Sequence, residues 1–271
     1  MDIYSDDGFS IARVLIDDSD SNYNYIIWCH NTKECAVIDP IDPIILLNFI
    51  RDNGLMVKYV INTHCHPDHI SGNDPILKVS LSLISKALVH PLGVERIGTR
   101  YETVDEGDVI KVGDIEIKVI HTPGHCPEHI SLIVGNNIFV GDTVFQSGCG
   151  NTAHRGVVED LYKSLSRIRE LTDDYRMFVG HEYAEANLKF ALDLDPENQA
   201  VKAKLSEIQD AVSKNSSIPP STLGEEKTYN PFMRFDDPVI VDELKKRNPD
   251  LKTDPASVFV ELRTLRNDWT S

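Results

Sequence analysis

The sequence predicts an α/β domain followed by a smaller, mainly helical one. Three observations carry this. Short β-prone apolar runs alternate with helical stretches over the first two-thirds of the 271 residues. Histidines and aspartates recur where those runs stop. From about Tyr183 the pattern turns to helical periodicity. We therefore expect two domains, residues 1–182 and residues 183–271.

The elements can be taken in chain order. "YNYIIWC" and "CAVID" read as strands. "PIILLNFIRDN" reads as a helix, with Asp42 as its N-cap and Pro43 at its first position. "VKYVIN" is a strand that runs into a cluster of histidines. "IEIKVIH" alternates, with Ile115, Ile117 and Val119 on one face. "NNIFVGD" is a strand after a turn-like Gly-Asn-Asn. A helix then places Leu161, Leu165 and Ile168 on one stripe, and "RMFVGHEY" is a strand with a polar end. Beyond it, Val201, Leu205, Ile208 and Val212 form an amphipathic stripe. "SKNSSIPPSTLG" reads as a loop, and Phe259, Leu262 and Leu265 mark a last helix.

Charge and cysteines bound the function. Lys and Arg number 27 against 43 Asp and Glu, a net charge of −16. That speaks against nucleic acid and anionic membrane as partners. The charge is −12 through Glu182 and −4 from Tyr183 on, so an anionic ligand needs a local basic patch, sought first in the C-terminal part. Five scattered cysteines (Cys29, Cys35, Cys65, Cys126, Cys149) suggest reduced thiols in a cytoplasmic protein. "MDIYSDDGFS" lacks the apolar core of a secretory signal, and no apolar run is long enough for a membrane span.

The chemistry starts at "INTHCHPDHISGN", where His64, His66, Asp68 and His69 fall within six positions. Several imidazoles and a carboxylate this close repel or go unsatisfied without a cation. His64 and His66 can face one ion while Cys65 points away, and Asp68 and His69 can face a second. His125, Asp142 and His181 also sit at strand ends, where side chains converge on one sheet edge. Neutral imidazoles with carboxylates suit zinc, and also iron, manganese or nickel. His121 and His129 read as supports for a ligand or a loop. His30 and His90 read as ordinary core or surface histidines.

The pattern H-x-H-x-D-H, then "TPGH", "GD" and "GHEY", resembles the metallo-β-lactamase superfamily of dinuclear hydrolases. "GDTVFQSGCG" (141–150), "VGHEYAEANLKFA" (179–191) and "PPSTLGEEKTYNPFMR" (219–234) narrow the resemblance to glyoxalase II, the hydroxyacylglutathione hydrolases. The resemblance implies an αββα sandwich followed by a helical domain that helps bind a thiol carrier. It implies hydrolysis of a 2-hydroxyacyl glutathione thioester such as S-lactoylglutathione, in methylglyoxal detoxification. It places one ion on His64, His66 and His125 and another on Asp68, His69 and His181, with Asp142 bridging the two. Asp68 and Asp142 are thereby the carboxylates of the catalytic centre. Zinc is the first expectation for both ions.

Tyr183 and Arg234 match the family's thiol-binding positions. After Gly150 the family has a basic residue and then an aromatic one. Here the stretch reads Asn151-Thr-Ala-His154-Arg155-Gly156, one residue longer. Asn151, His154 and Arg155 are therefore the candidates for that part of the carrier site. The rival reading is a mononuclear-iron glutathione persulfide dioxygenase of the same superfamily. Cys65 and the longer stretch after Gly150 fit it, whereas the helical tail and "STLGEEKTYNPFMR" do not.

Overall fold

The computed structural model describes residues 1–16, 20–79 and 85–270. They form two compact units that interleave along the chain. One comprises 1–121, 127–141 and 180–182; the other comprises 122–126, 142–179 and 183–271.

The first unit is built on a seven-stranded sheet in simple chain order: β1 (Asp2–Asp6), β2 (Phe9–Leu15), β3 (Tyr23–Cys29), β4 (Glu34–Ile38), β5 (Met56–Ile61), β6 (Lys86–Val89) and β7 (Tyr101–Thr103). The strands pair antiparallel from β1 to β4 and parallel from β4 to β7. A parallel ladder needs cover on both faces, which is why β4, β5 and β6 read as apolar runs. Helix α1 (Pro43–Asp52) starts as expected, with Asp42 Oδ1 accepting from the Ile44 N–H at 2.8 Å. Helix α2 (Pro67–Ile70) is a single turn, and α3 (Asn73–Val79) comes next.

Strand pleating sorts β3 between two layers. Ile26 and Trp28 join Leu46 and Ile50 of α1, Ile76 and Leu77 of α3, and Val37, Val60 and Ala87 in one core. Tyr25 points the other way and meets Phe139 edge-on at 5.1 Å. Phe139 belongs to a second sheet, whose strands in this unit are β8 (Val109–Val112), β9 (Ile115–His121), β10 (Ile130–Val134) and β11 (Asn137–Gly141), paired antiparallel in that order. Along β9, Ile115, Ile117 and Val119 are buried and Glu116 and Lys118 exposed, as the alternation requires.

The second unit holds a ribbon of β12 (Val144–Phe145) and β13 (Gly148–Cys149), the strand β14 (Arg176–Val179) and six helices: α4 (Val158–Arg169), α5 (Ala184–Leu194), α6 (Gln199–Ser213), α7 (Leu223–Tyr229), α8 (Pro238–Arg247) and α9 (Pro255–Asp268). Leu161, Leu165 and Ile168 are buried on α4 as their spacing predicts. Tyr162 of the same helix meets Phe235 and Phe259 edge-on or tilted, which ties residues 142–179 to the C-terminal helices.

Two expectations need correction. The stripe on α6 stops short of Val212, which is 52% exposed, while Val201 and Ile208 are fully buried. The loop "SKNSSIPPSTLG" ends at Thr222, because Leu223 and Gly224 open α7. Thr222 and Glu225 form a reciprocal capping box there, which outweighs the weak helix propensity of Gly224.

Candidate metal-binding residues and an anion pocket

In the first unit the donors are positioned by the segments just past β4 and β5. Asp39, at the end of β4, accepts from the Thr63 N–H at 2.7 Å and the Thr63 hydroxyl at 2.6 Å. Its other neighbour is His69 Nδ1, 3.1 Å from Oδ2. Asn62 donates to the His69 carbonyl at 2.8 Å and exchanges bonds with Asn73. The loop between β5 and α2 is therefore pinned at both ends; His64 and His66 project from it, and Asp68 and His69 from the α2 turn that follows. Gly141 lies against this loop with φ +45°; a Cβ there would come within 2.6 Å of Thr63 Oγ1 and His129 Nε2.

His64 Nε2 lies 3.0 Å from His66 Nδ1. The His69 and His181 Nε2 atoms lie 3.3 Å apart, and each is 3.4 Å from Asp68 Oδ2. Asn22 donates to Asp68 Oδ2 at 3.1 Å. Burial pushes the Asp68 carboxyl up; protonated His181 and His69 rings, with the Asn22 amide, hold it well below the usual carboxylate range, an effect that depends on Nε2 of both rings carrying a proton.

The second unit brings together His125 and Asp142, with Nε2 3.6 Å from Oδ2. His125 Nδ1 donates to the Asn151 carbonyl at 2.7 Å. Gly150 is packed into this corner. A Cβ on it would collide with the Asp142 carbonyl oxygen and reach 3.0 Å from His125 Nδ1.

The chemistry of the donors tests whether they fit a metal. A carbonyl oxygen only accepts, so His181, which bonds the Asp20 carbonyl at 2.7 Å, carries its proton on Nδ1. The same holds for His125 with Asn151. The Asp39 carboxylate favours the Nδ1 proton on His69. The Nε2 lone pairs of His69 and His181 thus face each other and the Asp68 carboxylate, an arrangement a divalent cation stabilises. The donor sets fit metal.

His90, Asp105 and His121 form a further cluster but do not fit one. The two rings stack at 4.1 Å with an interplanar angle of 12°. Imidazole lone pairs lie in the ring plane, so face-to-face rings cannot both aim at one ion. His90 Nδ1 accepts from the Leu92 N–H, and His121 Nε2 donates to the Pro127 carbonyl. His129 stacks on His64 at 5.1 Å and supports that ring.

A pocket of about 230 Å³ in the second unit is lined by Phe145, Cys149, Asn151, Tyr183, Asn187, Arg263, Arg266 and Asn267. Asn151 and Tyr183 are expected in such a site. The two arginines of α9 are not, although their i,i+3 spacing in an acidic chain is a signal. Arg263 is buried and donates to the Cys149 carbonyl at 2.8 Å; Arg266 donates to Asn187 Oδ1 at 3.2 Å. Neither forms an ion pair with a carboxylate of the described residues. Burial and then the neighbouring Arg263 charge lower the Arg266 pKa. Two guanidinium groups without a carboxylate partner give this pocket the charge to hold an anion.

Arg234, expected to meet the carrier, does not line this pocket. Its Nη2 lies 2.7 Å from both Asp195 Oδ2 and Asp237 Oδ2, so its charge is answered inside the protein. His154 and Arg155 are exposed and also lie outside the pocket lining.

Residues 18–181 match the metallo-beta-lactamase superfamily, and residues 182–269 match the hydroxyacylglutathione hydrolase C-terminus. A hydroxyacylglutathione hydrolase of Nitrosococcus oceani is 37% identical over 92% of this chain and 95% of its own length. The cytoplasmic hydroxyacylglutathione hydrolase of Arabidopsis thaliana is 34% identical, over 92% of this chain and 95% of its own. The crystal structure of ETHE1 from Myxococcus xanthus shares the fold at a TM-score of 0.65 and 22% identity, over 94% of this chain and 97% of that one. The fold is thus the metallo-β-lactamase sandwich with a helical C-terminal domain. With near-full-length identity of this order, the chain belongs to the hydroxyacylglutathione hydrolase family.

Proposed function

We propose that the protein hydrolyses a 2-hydroxyacyl thioester of glutathione, with S-lactoylglutathione as the type substrate, to a hydroxy acid and free thiol in the cytoplasm, as in methylglyoxal detoxification. On this reading residues 1–182 form the catalytic domain and 183–271 the carrier-binding domain. His64, His66 and His125 would hold one divalent ion and Asp68, His69 and His181 a second, with Asp142 as the ligand shared between them. Zinc is the first choice for both, with iron or manganese as substitutes. Such ions lower the pKa of water and polarise the thioester carbonyl.

The chain's own groups do the rest. Asp39 and the Asp20 and Asn151 carbonyls keep the imidazole protons on Nδ1, which leaves Nε2 for metal. Arg263 and Arg266 take the carrier's carboxylates, and Tyr183 offers its hydroxyl. The leaving thiolate has a pKa of roughly 8.5, so it needs little help from a general acid. Cytoplasmic placement is supported by five buried free thiols and by the name of the Arabidopsis relative. Among the described residues no helix is long and apolar enough to cross a membrane.

One observation carries this reading. Asn151 lines the anion pocket and holds His125 with its carbonyl, so a single residue joins a metal donor to the carrier site. The test is metal content with turnover. Close to two equivalents of metal and oxygen-independent thiol release from S-D-lactoylglutathione are expected. Asp142→Ala should lose metal and turnover together, and Arg263→Ala should raise KM by roughly tenfold or more, as for a lost charge-assisted bond. A single iron, with oxygen uptake on glutathione persulfide and no thioesterase activity, would overturn it.

A further inference from the structure

Glu226, on α7, is fully buried and lies outside the residues assigned above. Four donors converge on its carboxylate. The Ser147 N–H and Asn230 Nδ2 reach Oε2, both at 2.8 Å, and the Ser221 and Tyr229 hydroxyls reach Oε1 at 2.6 and 3.1 Å. Asn230 Nδ2 also meets the Phe145 and Gly148 carbonyls, at 3.3 and 3.1 Å. The pair Glu226–Asn230 therefore grips the turn between β12 and β13 from both its N–H and its C=O side.

That turn is not encoded locally. Val144 pairs with Cys149 and Phe145 with Gly148, leaving Gln146-Ser147 as a two-residue loop. Ser147 sits at φ +57°, where a glycine or asparagine is the usual occupant. An external hold must make up for the strain, on the order of 1 kcal/mol. The ribbon's two ends carry the chemistry. Two residues before Val144 is Asp142. Phe145 and Cys149 line the anion pocket with Asn151, whose carbonyl fixes His125.

We propose that Glu226 is a positioning residue: through Ser147 and Asn230 it sets the β12–β13 ribbon, and with it both the Asp142 carboxylate and the wall of the anion pocket. The proposal rests on the reading of Asp142 as a metal ligand and of the pocket as the carrier site.

The test compares Glu226→Ala with Glu226→Gln in full-length, metal-loaded protein. Three quantities are measured: metal equivalents, glutathione affinity by calorimetry, and steady-state kinetics. Gln can turn its oxygen to Ser147 and Asn230 and its NH₂ to the two hydroxyl oxygens. It should keep metal content and KM within about twofold of the parent. Ala leaves the Ser147 N–H without its acceptor. It should lose metal and weaken glutathione and KM by about tenfold, the value of one well-made bond with its strain released. A merely structural Glu226 would lower Tm in the Ala variant while the folded protein kept native metal content and KM, and that result overturns the proposal. If Glu226→Ala does not fold, Asn230→Asp serves instead. It retains the acceptor for the Phe232 N–H and removes the ties to Phe145 and Gly148. Native metal content and glutathione affinity in that variant also overturn the proposal. A parent without thioesterase activity, whose Ala variant still sheds metal, would refute the function and leave the positioning role standing.

Discussion

Replacing Glu226 by Gln also separates the charge of this clamp from its shape. Burial pushes the Glu226 carboxyl up to about 7 from the ordinary 4.5, against the pull of Ser221, the Ser147 N–H, Asn230 and Tyr229. An acid whose folded pKa is raised keeps its proton in the folded state after the unfolded chain has lost it. Its contribution to stability is therefore full below 4.5 and is lost as the pH rises through about 7. The whole displacement is worth on the order of 3 kcal/mol, of which about 2.5 kcal/mol falls between pH 5 and pH 8. Gln does not titrate. Histidines and other carboxylates titrate alike in both proteins, so they cancel in the difference. Thermal melts of the parent and Glu226→Gln at pH 5 and pH 8 should therefore diverge. Relative to the variant, the parent should lose about 5 °C or more between the two pH values. Parallel pH profiles would refute a raised Glu226 and with it the view that the carboxylate is neutral in the acid range.

Two further outcomes rest on the packing. Arg234→Ala should lower stability by about 3 kcal/mol, because it leaves the buried Asp195 and its neighbour Asp237 without their cation, while KM for a glutathione thioester stays close to native; a raised KM with unchanged Tm would return Arg234 to the carrier site. Gly150→Ala should cost about 1–3 kcal/mol and shed metal, since its Cβ meets the Asp142 carbonyl and crowds His125, and a fully metallated variant of native Tm would contradict that geometry.

How much of the molecule is legible in the sequence depends on how local each signal is. Helix α1 is readable because Asp42 and Pro43 mark its start within two residues. Strand β9 is readable because one face is buried and the other solvated, so its residues alternate. The β1–β2 hairpin is less plain because β1 is acidic and half-exposed, although its two-residue Asp7-Gly8 turn is a local hairpin signal. Helix α7 is hidden by the Pro-Pro-Ser approach, though Thr222 and Glu225 hold its capping signal in plain view. The metal donors stand out because clustered imidazoles are costly without a cation. The anion pocket does not, because Arg263 meets Cys149 across 114 positions. Arg234 shows the converse. It carries a recognisable motif, but sequence alone does not reveal that aspartates 39 and 3 positions away answer its charge.

The distribution of ion pairs explains how a chain of net charge −16 can receive an anion. Arg13, Arg169, Arg234 and Arg247 each have a carboxylate within 3.0 Å, so their charges are neutralised where they stand. Among the described residues Arg263 and Arg266 bond no carboxylate, only oxygens of Cys149, Gly150, Asn187 and Asn267 and the Cys149 sulfur. Carbonyl and amide oxygens orient a guanidinium without cancelling its charge, so the positive potential there survives into the pocket. Placing the two arginines one helical turn apart costs repulsion, which adds to burial in lowering the Arg266 pKa. A dicarboxylate carrier relieves that repulsion on binding. The affinity for the carrier should therefore reside in this pair and be sensitive to salt.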